Sequence, residues 1–313
     1  MLPSIGCIIG PTASGKSQLA LHLAACYDAE IISVDSALIY RHMNIGSAKP
    51  SLEERQQIPH HLIDIINPTD RYSAANFCTD ATKHITRIMA KGKMPLLVGG
   101  TMLYIYALEV GLSHLPCADL TLRAQLDEEA QLKGWPALHK QLQAIDPIAA
   151  SRIAPYDKQR IQRALEIFLL SGHPLTTLLK KKSTPSSFKL LKMALVPAER
   201  AWLRDRITHR FRHMLNMGLV EEVKTLRTRF PNLTPALPAI RTVGYRQAWQ
   251  YLDNQINYDT FVTQAITATH QLAKRQLTWL NKLQNLTLLN CQDKNQLPAL
   301  AEKWFRQHIL PIS

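Results

Sequence analysis

The sequence predicts an α/β protein in which a parallel β-sheet carries helices on both faces and a mostly helical segment is inserted into the chain. Two observations predict this fold. Short apolar runs alternate with stretches of helical periodicity, a pattern typical of parallel sheets covered on both faces. Between residues 116 and 185 the strand signals disappear, and Leu, Ala, Gln and charged residues recur at helical spacing.

Five apolar runs bounded by turn residues are predicted as strands, at residues 5–9, 31–34, 62–66, 95–98 and 188–196. A helix is expected after the first strand, because Leu19, Leu23 and Cys26 recur at helical spacing. The chain beyond residue 197 is predicted to be helical, with Gly218 ending the first helix there. Residues 1–115 and 186–313 are therefore expected to form the core, and residues 116–185 the insertion. Within the insertion, Gly172 is predicted to end a helix, and residues 180–185 read as a linker.

Composition excludes several classes of protein. With 46% hydrophobic residues the chain is not predominantly disordered, and its longest apolar stretch, residues 102–112, is interrupted by Glu109. That stretch is too short to span a bilayer, which needs about 18 residues, so we expect a cytoplasmic protein without membrane contact. The five cysteines form no C-x-x-C pair, which argues against a structural zinc site. The formal charge of +13 points to a polyanionic partner, with nucleic acid as the first candidate.

A phosphate-binding loop follows the first predicted strand and precedes the first predicted helix. The motif G-x-x-x-x-G-K-[ST] is matched in full by Gly10, Pro11, Thr12, Ala13, Ser14, Gly15, Lys16 and Ser17. In this motif backbone N–H groups and the helix N-terminus face the phosphate oxygens, Lys16 supplies a positive charge, and the Ser17 hydroxyl is placed to bind Mg²⁺. The motif predicts a phosphate or diphosphate ligand without saying which molecule carries it.

A single carboxylate ends a predicted strand near this loop. Asp35 directly follows residues 31–34, whereas residues 96–98 run into Gly99, Gly100 and Thr101 without an acid. The missing second carboxylate disfavours an ATP-driven machine. Spacing alone leaves three roles open for Asp35: a metal ligand, a helix N-cap or a general base.

Three basic clusters with nearby aromatic residues predict a surface that follows nucleic-acid phosphates. Arg160 and Arg163 share a helix face while Ile161 and Leu165 face the core. The second cluster is a turn made by Arg241, Thr242, Gly244, Tyr245 and Arg246, and the third is a helix face made by His270, Lys274 and Thr278 beside Arg275 and Trp279. Four further arginines are predicted to be solvated surface charges: Arg200, Arg204, Arg206 and Arg210.

Taken together, these segments closely resemble the bacterial tRNA dimethylallyltransferases of the IPP transferase family. The resemblance runs in the same order over nearly the whole chain, through residues 10–17, 33–40, 45–50, 60–64, 97–104, 160–166, 243–246 and 273–276. It implies a P-loop-kinase-like core with a helical insertion that contributes to tRNA binding. The implied reaction transfers a dimethylallyl group from dimethylallyl diphosphate to the exocyclic N6 amine of the adenosine immediately 3′ of the anticodon, with Mg²⁺ as cofactor.

The resemblance also assigns site residues. Residues 12–17 would hold the diphosphate and Mg²⁺, Asp35 would meet the adenine amine, Thr101 would lie at the leaving group, and Lys16 and Arg123 would complete the catalytic set. The anticodon stem-loop of tRNA is the implied partner, and we expect a monomer. The implied tRNA contacts are Asp35, Ser36, Ala37, Leu38, Thr101, Arg123, Gln159, Arg160, Ile161, Gln162, Arg163, Ile240, Arg241, Thr242, Val243, Gly244, Tyr245, Arg246, Lys274, Arg275, Gln276, Leu277, Thr278, Trp279, Leu280 and Asn281.

The chain departs from the family pattern at two places, and two other functions are compatible with its motifs. Tyr156 stands where the family has Asn, and His270 stands where it commonly has Arg, so a contact at either place would differ. One alternative is a P-loop kinase of a small metabolite, with Arg160 and Arg163 over the γ-phosphate. The other is an RNA-binding module whose phosphate loop acts as a nucleotide switch.

Overall fold

The computed structural model describes residues 2–113, 115–180 and 187–309. The chain divides into two compact units: Met1–Glu109 together with Ser186–Ser313, and Val110–Pro185. The predicted first boundary, at 115/116, lies a few residues later in the chain. The predicted linker, apart from Lys180, lies outside the described residues. We call the first unit the core unit and the second the helical unit.

The core unit is built on one parallel sheet, as predicted. Its six strands in the described residues are β1 (Ser4–Ile9), β2 (Ala29–Val34), β3 (His60–His61), β4 (Met94–Gly99), β5 (Lys189–Val196) and β6 (Leu286–Asn290). The strand order is β3-β2-β4-β1-β5-β6, and every neighbouring pair is parallel. This arrangement confirms the predicted α/β class.

Two predictions of secondary structure are wrong: one strand is misplaced and another is missed. The third strand is His60–His61 rather than residues 62–66, because Leu62 and Asp64 adopt positive φ angles of 61° and 57°, which end the extended backbone. Asp64 is fixed there by ion pairs to Lys49 and Arg55, at 2.5 and 2.7 Å. The region after residue 197 is not entirely helical, because β6 pairs with β5 at the sheet edge.

The helices of the described residues are α1 (Lys16–Cys26), α2 (Leu52–Gln57), α3 (Ala74–Ala90), α4 (Met102–Val110), α5 (Leu120–Lys133), α6 (Trp135–Ile145), α7 (Pro147–Arg152), α8 (Lys158–Ser171), α9 (Leu175–Lys180), α10 (Arg200–Asn216), α11 (Leu219–Arg229), α12 (Tyr245–Leu252), α13 (Tyr258–Leu280) and α14 (Leu297–His308). None of the helices in the described parts of the chain is long and apolar enough to cross a membrane.

Helices cover both faces of the sheet, which gives it two hydrophobic layers. Alternate strand residues such as Ile9 and Leu97 pack with α3, α4 and the end of α13, whereas Ile8 and Leu96 pack with α1 and α14. A third cluster joins α10 to α13 and buries Ile39. Gly218 follows the end of α10 with φ 95° and is the N-cap of α11.

The helical unit contains α5 to α9 around a core of its own, which includes Leu126, Leu138 and Ile161. Its described residues form helices and connecting turns with no strand, as the periodicity predicts. Gly172 ends α8 with φ 69°, a left-handed conformation that glycine adopts without strain.

Candidate active site

Three sequence-predicted segments meet at the carboxyl edge of the sheet. Val34 and Ile9 both lie opposite Gly99 in the parallel ladders, so β2, β4 and β1 end side by side. The phosphate loop follows β1, Asp35 follows β2, and Thr101 comes soon after the end of β4. In open α/β sheets this edge is where ligands bind.

The phosphate loop has the conformation that its glycines predict. Gly10 has φ 149°, and a Cβ atom there would lie 2.5 Å from the Leu195 carbonyl oxygen, so no larger residue fits. Gly15, with φ 91°, is the N-cap of α1, whose first N–H groups and dipole favour an anion. Among the described residues, the buried Ser14 Oγ has no hydrogen-bond partner, which suits a hydroxyl that donates to a ligand oxygen.

The Lys16 side chain contacts the backbone of the phosphate loop. Its Nζ donates a hydrogen bond to the Pro11 carbonyl oxygen at 2.5 Å. Burial lowers the pKa of Lys16 to about 8, against the opposing effect of the negative charge on Asp35, while Arg210 lowers the pKa further. The loop therefore holds a partly desolvated cation, whose charged form an incoming anion would stabilise.

Two arginines predicted as solvated surface charges lie against this site instead. Arg206 donates from Nε to the Ala13 carbonyl oxygen at 2.8 Å, and its guanidinium lies 4.8 Å from the centre of the Trp202 ring. Arg210 is half-buried, and burial lowers its pKa while the charge on Asp35 raises it, so the Arg210 guanidinium interacts electrostatically with Asp35. The sequence signal that could have grouped these two arginines is their spacing of four residues, which places both on one face of α10. Arg200 and Arg204 are exposed, as predicted.

Asp35 lies in a turn, and the helix-cap alternative is wrong. Its Oδ1 accepts a hydrogen bond from the Ala37 N–H at 2.8 Å, and residues 36–39 form turns rather than a helix. Thr101 lies beside this turn, because its Oγ1 accepts from the Ser36 N–H at 3.1 Å and contacts Ser36 Oγ at 3.4 Å. The structure therefore brings the Asp35 and Thr101 segments together.

In the helical unit, Arg123 and Arg163 bind a buried carboxylate. Arg123 makes two hydrogen bonds to Glu166 at 2.8 and 2.9 Å, and Arg163 makes one at 2.5 Å. Burial would raise the pKa of Glu166, but these hydrogen bonds overcome it and hold the pKa below its ordinary value. Arg160 differs, since 71% of its side chain is exposed and its ion pair with Asp157 is long, at 3.4 Å.

The other two basic clusters are divided between surface and interior. Arg241, Arg246, Lys274 and Arg275 are exposed. Ile240 and Tyr245 are fully buried, and Leu280 is nearly so. In the first cluster, Ile161 is also fully buried. Tyr245 donates from its hydroxyl to Glu222 at 2.7 Å, so it anchors the turn and offers no ring to an RNA base.

The remaining assigned residues range from exposed to half-buried. Gln159, Ser36, Thr278 and Asn281 are exposed, and Ala37, Leu38, Gln162, Thr242, Val243, Leu277 and Trp279 are half-buried. Gly244 is buried at the start of α12, and Gln276 points into the core unit, where it contacts the phosphate loop. Of the two departures from the family pattern, Tyr156 is exposed and His270 contacts the Arg204 carbonyl oxygen at 3.3 Å.

A parallel sheet with a phosphate loop, a carboxylate and half-buried cations at its carboxyl edge defines a P-loop α/β protein. The family model described as IPP transferase matches residues 38–283, and a second, described as Isopentenyl transferase, matches residues 3–67. The chain belongs to the IPP transferase family, which confirms the resemblance seen in its motifs.

Named relatives and solved structures agree with this membership. The chain is 56% identical to a tRNA dimethylallyltransferase of Chromobacterium violaceum, over 88% of this chain and 85% of that protein. It is 50% identical to one of Paraburkholderia xenovorans, over 96% of both. The tRNA isopentenylpyrophosphate transferase of Bacillus halodurans superimposes with a TM-score of 0.72 at 34% identity, over 99% and 97% of the two chains. A eukaryotic dimethylallyltransferase acting on tRNA gives a TM-score of 0.82 at 25% identity, over 99% and 81%.

Proposed function

We propose that this chain transfers a dimethylallyl group from dimethylallyl diphosphate to the exocyclic N6 amine of the adenosine immediately 3′ of the anticodon in tRNA, with release of diphosphate. The names of its relatives support this reaction. The observation that carries it is the meeting of the phosphate loop, Asp35 and Thr101 at one edge of the sheet. A site of this kind can hold a diphosphate next to a carboxylate that receives a proton.

Asp35 is the proposed general base. The adenine amine is a weak nucleophile, because its lone pair is delocalised into the ring. As the bond from N6 to the allylic carbon forms and the bond from that carbon to the diphosphate oxygen breaks, the amine loses a proton to the carboxylate. The target adenine must leave the base stack to reach Asp35, at a cost of a few kcal/mol.

The leaving diphosphate is stabilised by the loop and its cations. Backbone N–H groups at the start of α1, the Ser14 hydroxyl and the Lys16 ammonium are the proposed contacts, with Arg206 and Arg210 adding positive charge behind them. Thr101, fixed by Ser36, is proposed to lie at the leaving group. These groups stabilise the negative charge that develops on the diphosphate oxygen as its bond to the allylic carbon breaks.

Mg²⁺ is the proposed cofactor, and the residues present fit it. Mg²⁺ takes oxygen ligands, and in P-loop proteins the Ser or Thr hydroxyl after the loop lysine holds it together with substrate phosphates. The Ser17 hydroxyl is exposed on the first turn of α1, beside the place proposed for the diphosphate. When bound, the ion supplies further positive charge to the leaving group.

The tRNA is proposed to bind through the exposed cations of both units. Arg160, Arg241, Arg246, Lys274 and Arg275 are exposed and can contact phosphates, whereas Arg123 and Arg163 are held by Glu166 and would act from a fixed position. The kinase alternative needs both Arg160 and Arg163 over a γ-phosphate, but Arg163 binds the buried Glu166 instead. That requirement makes prenyl transfer the better-supported function.

One experiment tests the proposal against both alternatives. The protein is incubated with unmodified tRNA and either dimethylallyl diphosphate or γ-labelled ATP, and nucleosides and phosphate release are analysed. We expect isoprenylated adenosine and no transfer of the γ-phosphate. Transfer of phosphate to a metabolite, or RNA binding without a modified nucleoside, would contradict the proposal.

The Lys16→Ala variant provides an internal control for the loop. It is expected to lose diphosphate binding and turnover while tRNA affinity stays close to that of the wild type. Equal loss of tRNA affinity would show that the loop contacts RNA or that the variant is unfolded, and thermal melting separates these two outcomes.

A further inference from the structure

Gln276 on α13 joins two parts of the site that are far apart in the chain. Its Oε1 accepts a hydrogen bond from the Thr12 backbone N–H at 2.8 Å, and its Nε2 donates to the Gly100 carbonyl oxygen at 2.9 Å. The family resemblance assigns this residue to the tRNA surface, but both ends of its amide bind the protein backbone. The side chain therefore bridges the phosphate loop and the segment that follows β4.

The bridge continues to the proposed general base. Thr101, next to Gly100, accepts a hydrogen bond from the Ser36 N–H at 3.1 Å, and Ser36 directly follows Asp35. Hydrogen bonds and the intervening backbone thus lead from the loop through Gln276 and Thr101 to the turn that holds Asp35. In the proposed reaction these are the elements that hold the electrophile and receive the proton.

The backbone at residue 100 is shaped to admit this side chain. A Cβ atom on Gly100 would come within 2.4 Å of the Gln276 Nε2, which is too close for any real contact. The same atom would lie 3.2 Å from the Gly10 carbonyl oxygen, a tight but smaller conflict. The space that receives the amide therefore exists because residue 100 has no side chain.

We propose that Gln276 is a positioning residue that keeps the phosphate loop aligned with Thr101 and Asp35, so that the allylic carbon of the bound diphosphate faces the amine. This inference rests on the proposed function. A displacement of about 1 Å at a reacting centre can lower a rate by about 10²-fold. The effect of losing the bridge therefore falls on the rate of bond formation, whereas the contacts that bind each substrate remain.

The test is the single-turnover rate of dimethylallyl transfer in Gln276→Met, which keeps the length of the side chain and removes both hydrogen bonds. We expect a rate lower by about 10- to 100-fold, with dissociation constants for tRNA and dimethylallyl diphosphate close to those of the wild type. The matched control is Gln264→Met on the exposed part of the same helix, which should retain the wild-type rate. A wild-type rate in Gln276→Met, or a loss confined to tRNA affinity, would overturn the inference. Absence of any transfer by the wild-type protein would instead contradict the proposed function.

A double-mutant cycle separates positioning from a general loss of structure. Gly100→Ala and Gln276→Ala should each lower the single-turnover rate, and the double variant should be little slower than either single variant, because both changes break one bridge. Melting temperatures are measured for each variant. Losses that multiply in the double variant, or rates that follow the folded fraction alone, would show that Gln276 has no positioning role.

Discussion

In the proposed reaction Lys16 supplies the positive charge that the phosphate loop offers to the diphosphate, and its environment makes that charge sensitive to pH. Burial lowers the pKa of Lys16 to about 8, even though Asp35 acts in the opposite direction. Below this pH the free protein presents an ammonium, and above it a neutral amine. A bound diphosphate shifts the balance back towards the charged form, so ligand binding on the alkaline side takes up a proton.

The first prediction follows from this titration. The kcat/KM for dimethylallyl diphosphate reports groups of the free enzyme, so it should fall as the pH rises through about 8. Lys16→Arg keeps a positive charge throughout this range, and its weaker activity should not show the fall. A profile for the wild type that stays flat to pH 10 would contradict the assignment of Lys16.

The second prediction concerns Asp35. In Asp35→Asn the side-chain oxygen can still accept the Ala37 N–H bond that forms the turn, so the fold should be retained. Without a base, kcat should fall by roughly 10²–10⁴, equivalent to about 3–5 kcal/mol of barrier. The diphosphate Kd and the Mg²⁺ dependence should stay nearly unchanged.

Single-turnover rates measured against Mg²⁺ concentration distinguish the remaining alternative. If Asp35 were mainly a metal ligand, the Mg²⁺ requirement of Asp35→Asn would rise and excess Mg²⁺ would restore part of the rate. Turnover close to that of the wild type would remove Asp35 from the chemistry.

At the scale of an element, α8 carries two arginines with different roles, which their spacing in the sequence does not distinguish. Arg160 and Arg163 are three residues apart, but Arg163 binds the fully buried Glu166 while Arg160 extends into solvent. A carboxylate buried without enough partners is unstable, so the arginines around Glu166 stabilise the helical unit. The exposed arginine contributes little to that stability.

The third prediction compares these two residues. Arg160→Ala should weaken tRNA binding and leave the melting temperature unchanged. Arg163→Ala should lower stability by about 1–3 kcal/mol, because Glu166 then keeps only its bonds to Arg123 and the Asp119 N–H. Filter binding and thermal unfolding measure the two effects, and an unchanged melting temperature in Arg163→Ala would contradict the structural role.

The contribution of Glu166 to stability also depends on pH. Its pKa in the folded protein lies below the ordinary value, so its contribution is present above the ordinary pKa and is lost as the pH falls through the folded value. Thermal unfolding of the wild type below about pH 4 should therefore show a loss of stability that Arg163→Ala, already deprived of one partner, shows to a smaller extent.

At the scale of the whole molecule, the charge of +13 determines how tRNA is attracted. The fourth prediction is that log K for tRNA falls linearly with log[salt], with each phosphate contact adding about −0.7 to −0.9 to the slope. Arg160→Ala, Arg246→Ala and Lys274→Ala should each reduce both the affinity and the slope. Lys83→Ala, an exposed lysine on α3, is the matched control and should change neither. Affinity that does not depend on salt would refute the proposed surface.

Much of the site could be predicted from local sequence, because its main features are properties of consecutive residues. The phosphate loop depends on eight adjacent residues, and Asp35 was found because it directly follows a buried strand. Parallel strands share one carboxyl edge, so the sequence alone predicts that these segments meet. The same local signals identified the helical insertion and the end of α8 at Gly172.

Tertiary packing determines which side chains of each helix face the site. Helical spacing groups residues on a face, but the packing of distant elements determines whether that face meets water, a carboxylate or the phosphate loop. Arg206 and Arg210 therefore turned out to adjoin the loop and Asp35, and Tyr245 turned out to be buried. Gln276 is the clearest case, because its two partners lie 264 and 176 residues away in the chain and meet it only in the folded protein.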